Sequence, residues 1–453
     1  MRIPRIVIAA TQSGSGKTTI VTGLLAALRQ KGLSVQSFKI GPDYIDPGYH
    51  ELASGRPGHN LDSWLLPAGR MKDIFIRSAV SADVAVIEGV MGLYDGGRGG
   101  ISSTAEVAKL LKAPVLLVID AKSMGASAAA IAMGFRDYDS EVELAGILLN
   151  RLGSDTHETM VTEAVEKVGI PVFGAVHRED GLKMPERHLG LLPVGENEER
   201  QVVDRIGKAV ASQVKLDEIL RLAQSAVPLE LNSVEKERPA GDTVKIAVAR
   251  DEAFSFYYPE SLRVLEDLGG EMLEFSPLHD DVLPEADGLI LGGGFPEMFA
   301  EALQRNESMR HSIKAAADKG MPVYGECGGF MYLMEGLRDF SGREYAMTGV
   351  LPGVAKMNEK LQMVGYVTAE LRENTILGRK GTQFRGHEFH FSSECGGEEA
   401  CPRAFTFTRL RNGAVYPAGF VKGNVVGSYL HLHFAGCPDA AEHFVEACRN
   451  YHG

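Results

Sequence analysis

Two glycine-rich turns, far apart in the chain, hold the residue types best suited to chemistry. The first is Thr11-Gln-Ser-Gly-Ser-Gly-Lys-Thr-Thr19. Its spacing is that of a phosphate-binding loop, G-x-x-x-x-G-K-[ST], with Thr11 in place of the first glycine. Around Ser15, Gly14 and Gly16 let backbone N–H groups converge on phosphate oxygens, and the helix that follows adds the partial positive charge of its N-terminus. Lys17 brings a full charge to the terminal phosphates, and the Thr18 hydroxyl, followed by Thr19, can hold Mg²⁺. The second turn is Val323-Tyr-Gly-Glu-Cys-Gly-Gly-Phe330, with the G-x-C-x-G spacing of a nucleophile elbow. Gly325 and Gly329 permit close strand–helix packing around a strained turn, and a cysteine at a helix N-terminus favours thiolate. Cys327 is therefore a candidate nucleophile.

Each turn needs partners. For the phosphate loop these are acids at strand ends. Glu88 closes Val84-Ala-Val-Ile-Glu88 and could share a Mg²⁺ ion with Thr18 and the phosphates. Asp43 and Asp46 stand in Lys39-Ile-Gly-Pro-Asp-Tyr-Ile-Asp-Pro47, again just past a strand, and the metal set reads as Thr18, Asp43 and Glu88. Any one of these acids alone is as well explained as a turn or helix cap. Asp120 is open between those roles, and Asn150 either reads an adenine edge or starts a loop. For the thiol, Leu291-Gly-Gly-Gly-Phe-Pro-Glu297 offers an oxyanion hole in which the amide of Gly294 joins that of Gly328. The candidate base lies in Gly427-Ser-Tyr-Leu-His-Leu-His-Phe434. His431 and His433 alternate there on one strand face, without a third metal ligand of matching spacing. The cluster Gly386-His-Glu-Phe-His390 reads equally as pocket lining or as surface.

The elements that must position these residues follow an α/β rhythm. Residues 3–10 read as a buried strand, and 17–29 as an amphipathic helix with Val21, Leu24, Leu25 and Leu28 on one face. Ser34–Ile40, Val84–Glu88, Val115–Asp120 and Leu144–Asn150 are further strands separated by helical stretches. That alternation predicts a parallel, doubly wound sheet with ligands at the C-terminal strand ends. A polar stretch with two prolines, 226–243, reads as a linker between domains 1–225 and 244–453. Val244–Ala249, Asp287–Leu291 and Met321–Tyr324 then restart the pattern.

Composition narrows the classes. The 453 residues suit two or three domains, and 44% hydrophobic with 24% charged is a globular balance. A net charge of −13 disfavours nucleic-acid binding through a basic face. No run is apolar enough to span a membrane, and the N-terminal stretch is too short and strand-like for a signal peptide. Five cysteines, with no CxxC pair, argue against a disulfide scaffold and point to a reducing cytoplasm.

The motifs together resemble a known family. GSGKTT, FKIGPDYIDPGYH, NLDSWLL and IEGVMGLYDG resemble the cobyrinic acid a,c-diamide synthase family. GGGFPE, GECGGF and SYLHLHF resemble its C-terminal class I glutamine amidotransferase domain, of the cobyric-acid-synthase type. The first half is also similar to dethiobiotin synthetase, a P-loop NTPase-like fold. The resemblance implies a ligase with two active sites. Cys327 attacks the glutamine carboxamide to release ammonia, and His431 passes the proton. ATP with Mg²⁺ phosphorylates a substrate carboxylate, and ammonia, crossing between domains, displaces the phosphate. Lys39, Asp43, Tyr44, Asp46 and Asp95 would line the substrate carboxylate site, with Glu88 nearby. The implied substrate is cobyrinate, at its a and c side chains; hydrogenobyrinate and nickel-sirohydrochlorin are chemical alternatives. Family triads usually carry Glu two residues after the histidine, and here that residue is His433, so the third member is absent or altered. A regulatory or partitioning P-loop ATPase is the reading from another class. It expects a signature lysine where this chain has Gln12, and leaves GECGGF without a role.

Overall fold

The computed structural model describes residues 1–179, 197–230, 242–397 and 399–452. Described residues up to 230 form one compact unit, and those from 242 onward a second.

The first unit is built on β1 (Arg5–Ala10), β2 (Val35–Ile40), β3 (His59–Leu61), β4 (Val84–Glu88), β5 (Val115–Asp120), β6 (Leu144–Leu152) and β7 (Val172–His177). All pairs are parallel, in the order β3-β2-β4-β1-β5-β6-β7. β1, β2 and β4 are buried along their whole length, as in a sheet covered by helices on both faces; β1 and β4 are accordingly near-continuously apolar, while β2 buries Gln36, Ser37 and Lys39. Helix α1 (Lys17–Gln30) starts after Gly16, whose φ of 82° is left-handed. It departs from the one-faced amphipathic pattern, being buried all round from Ile20 to Leu28. Its second covering is the helix Asn197–Gln213: a Cβ on Gly207 would lie 2.7 Å from the Ala26 Cβ, so the two helices meet almost backbone to backbone. Helix α2 (Ile45–Ser54) follows β2. The start of the expected linker is part of this unit. Val227 O accepts from the buried Arg5 guanidinium at 2.6 Å, and the Leu229 amide donates to Met1 O at 2.9 Å.

The second unit carries β8 (Val244–Ala249), β9 (Gly270–Phe275), β10 (Gly288–Leu291), β11 (Val323–Glu326), β12 (Gly336–Arg338), β13 (Glu344–Ala346) and β14 (Val354–Met357). β15 (Met363–Leu371), β16 (Gln383–His390), β17 (Ser392–Cys395), β18 (Arg403–Arg409), β19 (Val415–Lys422), β20 (Val425–Ser428) and β21 (His431–Leu432) follow. Ten of them form one mixed sheet, β21-β16-β15-β18-β19-β20-β11-β10-β8-β9, parallel from β20 to β9 and antiparallel from β21 to β20. β12, β13, β14 and β17 make a small second sheet. β11 lies between β10 and β20, so its C-terminal end opens beside the loops after both neighbours. No helix among the described residues is long and apolar enough to cross a membrane.

Candidate functional site

In the first unit β4 lies between β2 and β1, and strand register pairs Lys39 with Glu88 and Glu88 with Ile8. Two buried charges are thereby set side by side under the phosphate loop. Lys39 Nζ is 2.9 Å from Glu88 Oε1 and also pairs with Asp46. Thr18 Oγ1 donates to Glu88 Oε1 at 2.7 Å and lies 3.4 Å from Asp46 Oδ2; Lys17 Nζ is 3.8 Å from Glu88 Oε1. Burial alone would lower Lys39, but Asp46, Glu88 and Asp43 raise it and keep it charged. Burial would raise Glu88, yet Lys39, His50 and Lys17 hold it well below the usual carboxylate range. Burial and the Asp43 carboxylate push Asp46 up to about 7, against the pull of Lys39.

The expected residues take different parts around this cluster. Asp43 Oδ1 accepts from the Ile45 and Asp46 amides at 2.8 and 3.1 Å, so it caps α2 while Asp46 is the acid beside Thr18. Asn150 Nδ2 donates to Ser15 O at 2.8 Å and its Oδ1 accepts from the Arg151 amide at 2.9 Å. It braces the phosphate loop from the end of β6. The bracing is close: a Cβ on Gly16 would collide with the Asn150 amide group. Asp120 is tied to Arg151 at 2.6 Å. Tyr44 precedes α2 at its N-cap, and Asp95 sits on a loop where its Oδ2 accepts from Gly92, which itself abuts Thr11 O.

In the second unit Cys327 has φ 48° and ψ −102°, a strained conformation for a residue with a side chain. The strain is held from several sides. The Cys327 amide donates to Ser428 O at 2.8 Å, and the Gly329 amide to Gly292 O at 2.9 Å. A Cβ on Gly329 would fall on the Leu291 carbonyl, so only glycine lets the helix Gly328–Leu333 approach β10 this closely. A Cβ on Gly328 would lie 2.9 Å from the Gly294 amide nitrogen, which brings the two expected oxyanion donors together. The Cys327 thiol is near enough to His431 to act on its charge. His431 Nδ1 lies 2.9 Å from Glu326 Oε1. Burial would lower His431, but Cys327 and Glu326 hold it up, at about 10. His433 is not on this side. It stacks on Tyr258 with ring centroids 4.6 Å apart, and burial lowers it to about 4. His387 stands opposite His431 in the strand register and lines this site; His390 stacks on Tyr429 at 3.9 Å.

Comparison with known proteins agrees with both halves. A family model described as "CobQ/CobB/MinD/ParA nucleotide binding domain" matches residues 6–192, and one described as "CobB/CobQ-like glutamine amidotransferase domain" matches 245–438. Proteins named cobyrinate a,c-diamide synthase from Dehalococcoides mccartyi strains CBDB1 and 195 are each 44% identical, over 100% of this chain and 99% and 100% of their own lengths. One from Listeria monocytogenes serotype 4b is 43% identical over 95% of this chain and 96% of its own. The chain belongs to the cobyrinate a,c-diamide synthase family. Two residues of this family member escaped the linear reading. His50 is fully buried on α2, one turn after Asp46, with Nε2 2.7 Å from Glu88 Oε2. The i, i+4 spacing with Asp46 was the available signal. Glu326 directly precedes the cysteine, and no local pattern says that it meets a histidine 105 residues later.

Proposed function

We propose that this enzyme converts cobyrinate to cobyrinate a,c-diamide in cobalamin biosynthesis, taking nitrogen from glutamine and driving each amide with ATP. The observation that carries the proposal is a strained Cys327 beside a His431 held by Glu326, on the same chain as a phosphate loop backed by Lys17, Lys39 and Glu88.

Cys327 loses its proton to His431 and attacks the glutamine carboxamide. The Gly294 and Gly328 amides receive the developing oxyanion. His431 returns the proton to the leaving nitrogen, ammonia departs, and water hydrolyses the thioester to glutamate. In the first unit, the loop from Thr11 to Thr19 holds the ATP phosphates, with Lys17 offsetting their charge. A substrate carboxylate oxygen takes the γ-phosphoryl group, ADP leaves, and ammonia displaces phosphate from the acyl phosphate. This activation is needed because a carboxylate oxygen is a poor leaving group. Lys39 and Asp46, with Asp43, Tyr44 and Asp95 around them, form the carboxylate site. The oxygens of Thr18, Glu88 and Asp46 lie together and are shared with the Lys39 ammonium; Mg²⁺ held by them in its place would neutralise phosphate charge.

The test supplies ATP, Mg²⁺, a nitrogen source and each candidate macrocycle, and follows the mass change of every amide formed. Cys327→Ala should lose the glutamine-driven reaction and keep the one driven by ammonia. A variant that still uses glutamine refutes the assignment of the thiol, and failure with cobyrinate but turnover of another macrocycle refutes the substrate.

A further inference from the structure

Position 433 holds a buried histidine stacked on Tyr258, not a carboxylate, so the base needs its orienting group from elsewhere. β11 ends on Glu326, immediately before the elbow. Glu326 Oε1 is 2.9 Å from His431 Nδ1, while Oε2 accepts from the Leu432 amide at 3.1 Å and the Tyr324 hydroxyl at 3.0 Å. Both oxygens are engaged, so the carboxylate is held in rotation as well as position. Glu326 is 7% and His431 2% exposed, so water screens their interaction little. The other titratable groups facing the pair are neutral near pH 7. Burial lowers His387, to about 3, and raises Cys437, to about 12; burial and Glu326 raise Tyr324. Besides the Cys327 thiolate itself, the countercharge facing a protonated His431 is Glu326.

We propose that Glu326 is the positioning carboxylate of the glutaminase site, taking the part that the residue two after the histidine does not play here. It accepts the Nδ1–H of His431, which fixes the tautomer and leaves Nε2 for Cys327. When the thiol proton moves to Nε2, Glu326 stays ionised and neutralises the imidazolium; the proton then leaves with ammonia. The thiol and the carboxylate are adjacent in sequence, and the strained turn at Cys327 lets both reach one imidazole. The proposal rests on Cys327 and His431 being nucleophile and base.

The test uses the full chain with Glu326→Gln, Glu326→Asp, His433→Gln and Cys327→Ala. Glutaminase kcat and KM, ammonia-driven amidation, and the pH profile of iodoacetamide alkylation at Cys327 are measured. Glu326→Gln should lower glutaminase kcat by roughly 10²- to 10⁴-fold with little change in glutamine KM. It should also slow alkylation at neutral pH by about tenfold, because a less basic His431 supports less thiolate. Ammonia-driven amidation should persist, Glu326→Asp should recover part of kcat, and His433→Gln should keep most of it. A Glu326→Gln protein with unchanged kcat overturns the proposal. So does an unchanged alkylation profile, even if turnover is lost, since that loss would be structural. Glutamine hydrolysis by Cys327→Ala would instead remove the underlying assignment.

Discussion

Replacing Glu88 by Gln removes one negative charge from the centre of the phosphate-side cluster and leaves the shape intact. Glu88 is fully buried and meets Thr18, Lys39 and His50 at hydrogen-bond distance, with Lys17 at 3.8 Å. Removing one partner of a buried ion pair costs about 3–5 kcal/mol, because the other charge stays buried without compensation. Lys39 keeps Asp46, and glutamine still accepts from Thr18 and Lys39, so the expected loss falls at or just below the low end of that range, about 2–3 kcal/mol. Glu88→Ala, which also deletes the hydrogen bonds, should approach about 5 kcal/mol. The assay is built into the chain. Its one tryptophan, Trp64, is buried in the first unit, so urea unfolding followed by tryptophan fluorescence reads that unit alone. The pH dependence has a fixed sign. Glu88 is held below its ordinary 4.5, so its contribution is present above pH 4.5 and fades as pH falls through the lower folded value. The gap between wild type and Glu88→Gln must therefore narrow on acidification. Glutaminase activity should stay near wild type while ammonia-driven amidation drops sharply. A Trp64 transition within about 0.5 kcal/mol of wild type, or a gap that widens in acid, refutes the reasoning.

Gly329→Ala should cut glutamine hydrolysis about a hundredfold or more, since its Cβ would lie 2.5 Å from the Leu291 carbonyl carbon and must push the elbow helix off β10. Steady-state kinetics test this, and the Trp64 transition should not move. The second unit should also lose stability as pH falls below 6.5. Burial lowers His433 to about 4 and His387 to about 3, so the unfolded chain binds their protons first. At about 1.4 kcal/mol for each tenfold loss of proton affinity, His433 alone contributes on the order of 3 kcal/mol, and His433→Gln should flatten the slope of stability against pH between 6.5 and 4. His431 works in the opposite sense: the stability from its ion pair is full below 6.5 and lost as pH rises through about 10.

Much of the architecture was legible because its signals are local. Left-handed Gly14 and Gly16, an apolar strand before them and a helix after them are relations among neighbours, and α1 begins at Lys17 as the spacing predicts. Glu88 closing β4 is the same kind of signal. The choice between Asp43 and Asp46 was not legible, because a cap and a site acid differ only in which way the chain turns past Pro42. Asn150 reads from the sequence either as a base-reading residue or as the start of a loop, and its bond to Ser15, across 135 residues, is visible only in the fold.

The sequence alone determined which turns carry charge and nucleophile, since glycine placement and hydrophobic period act over a few residues. Only the tertiary structure decided who partners whom. Strand order sets Lys39 beside Glu88, and the strained turn at Cys327 lets Glu326 and the thiol share His431. Those pairings depend on register and on the direction a side chain leaves the backbone, and neither is a property of any short segment.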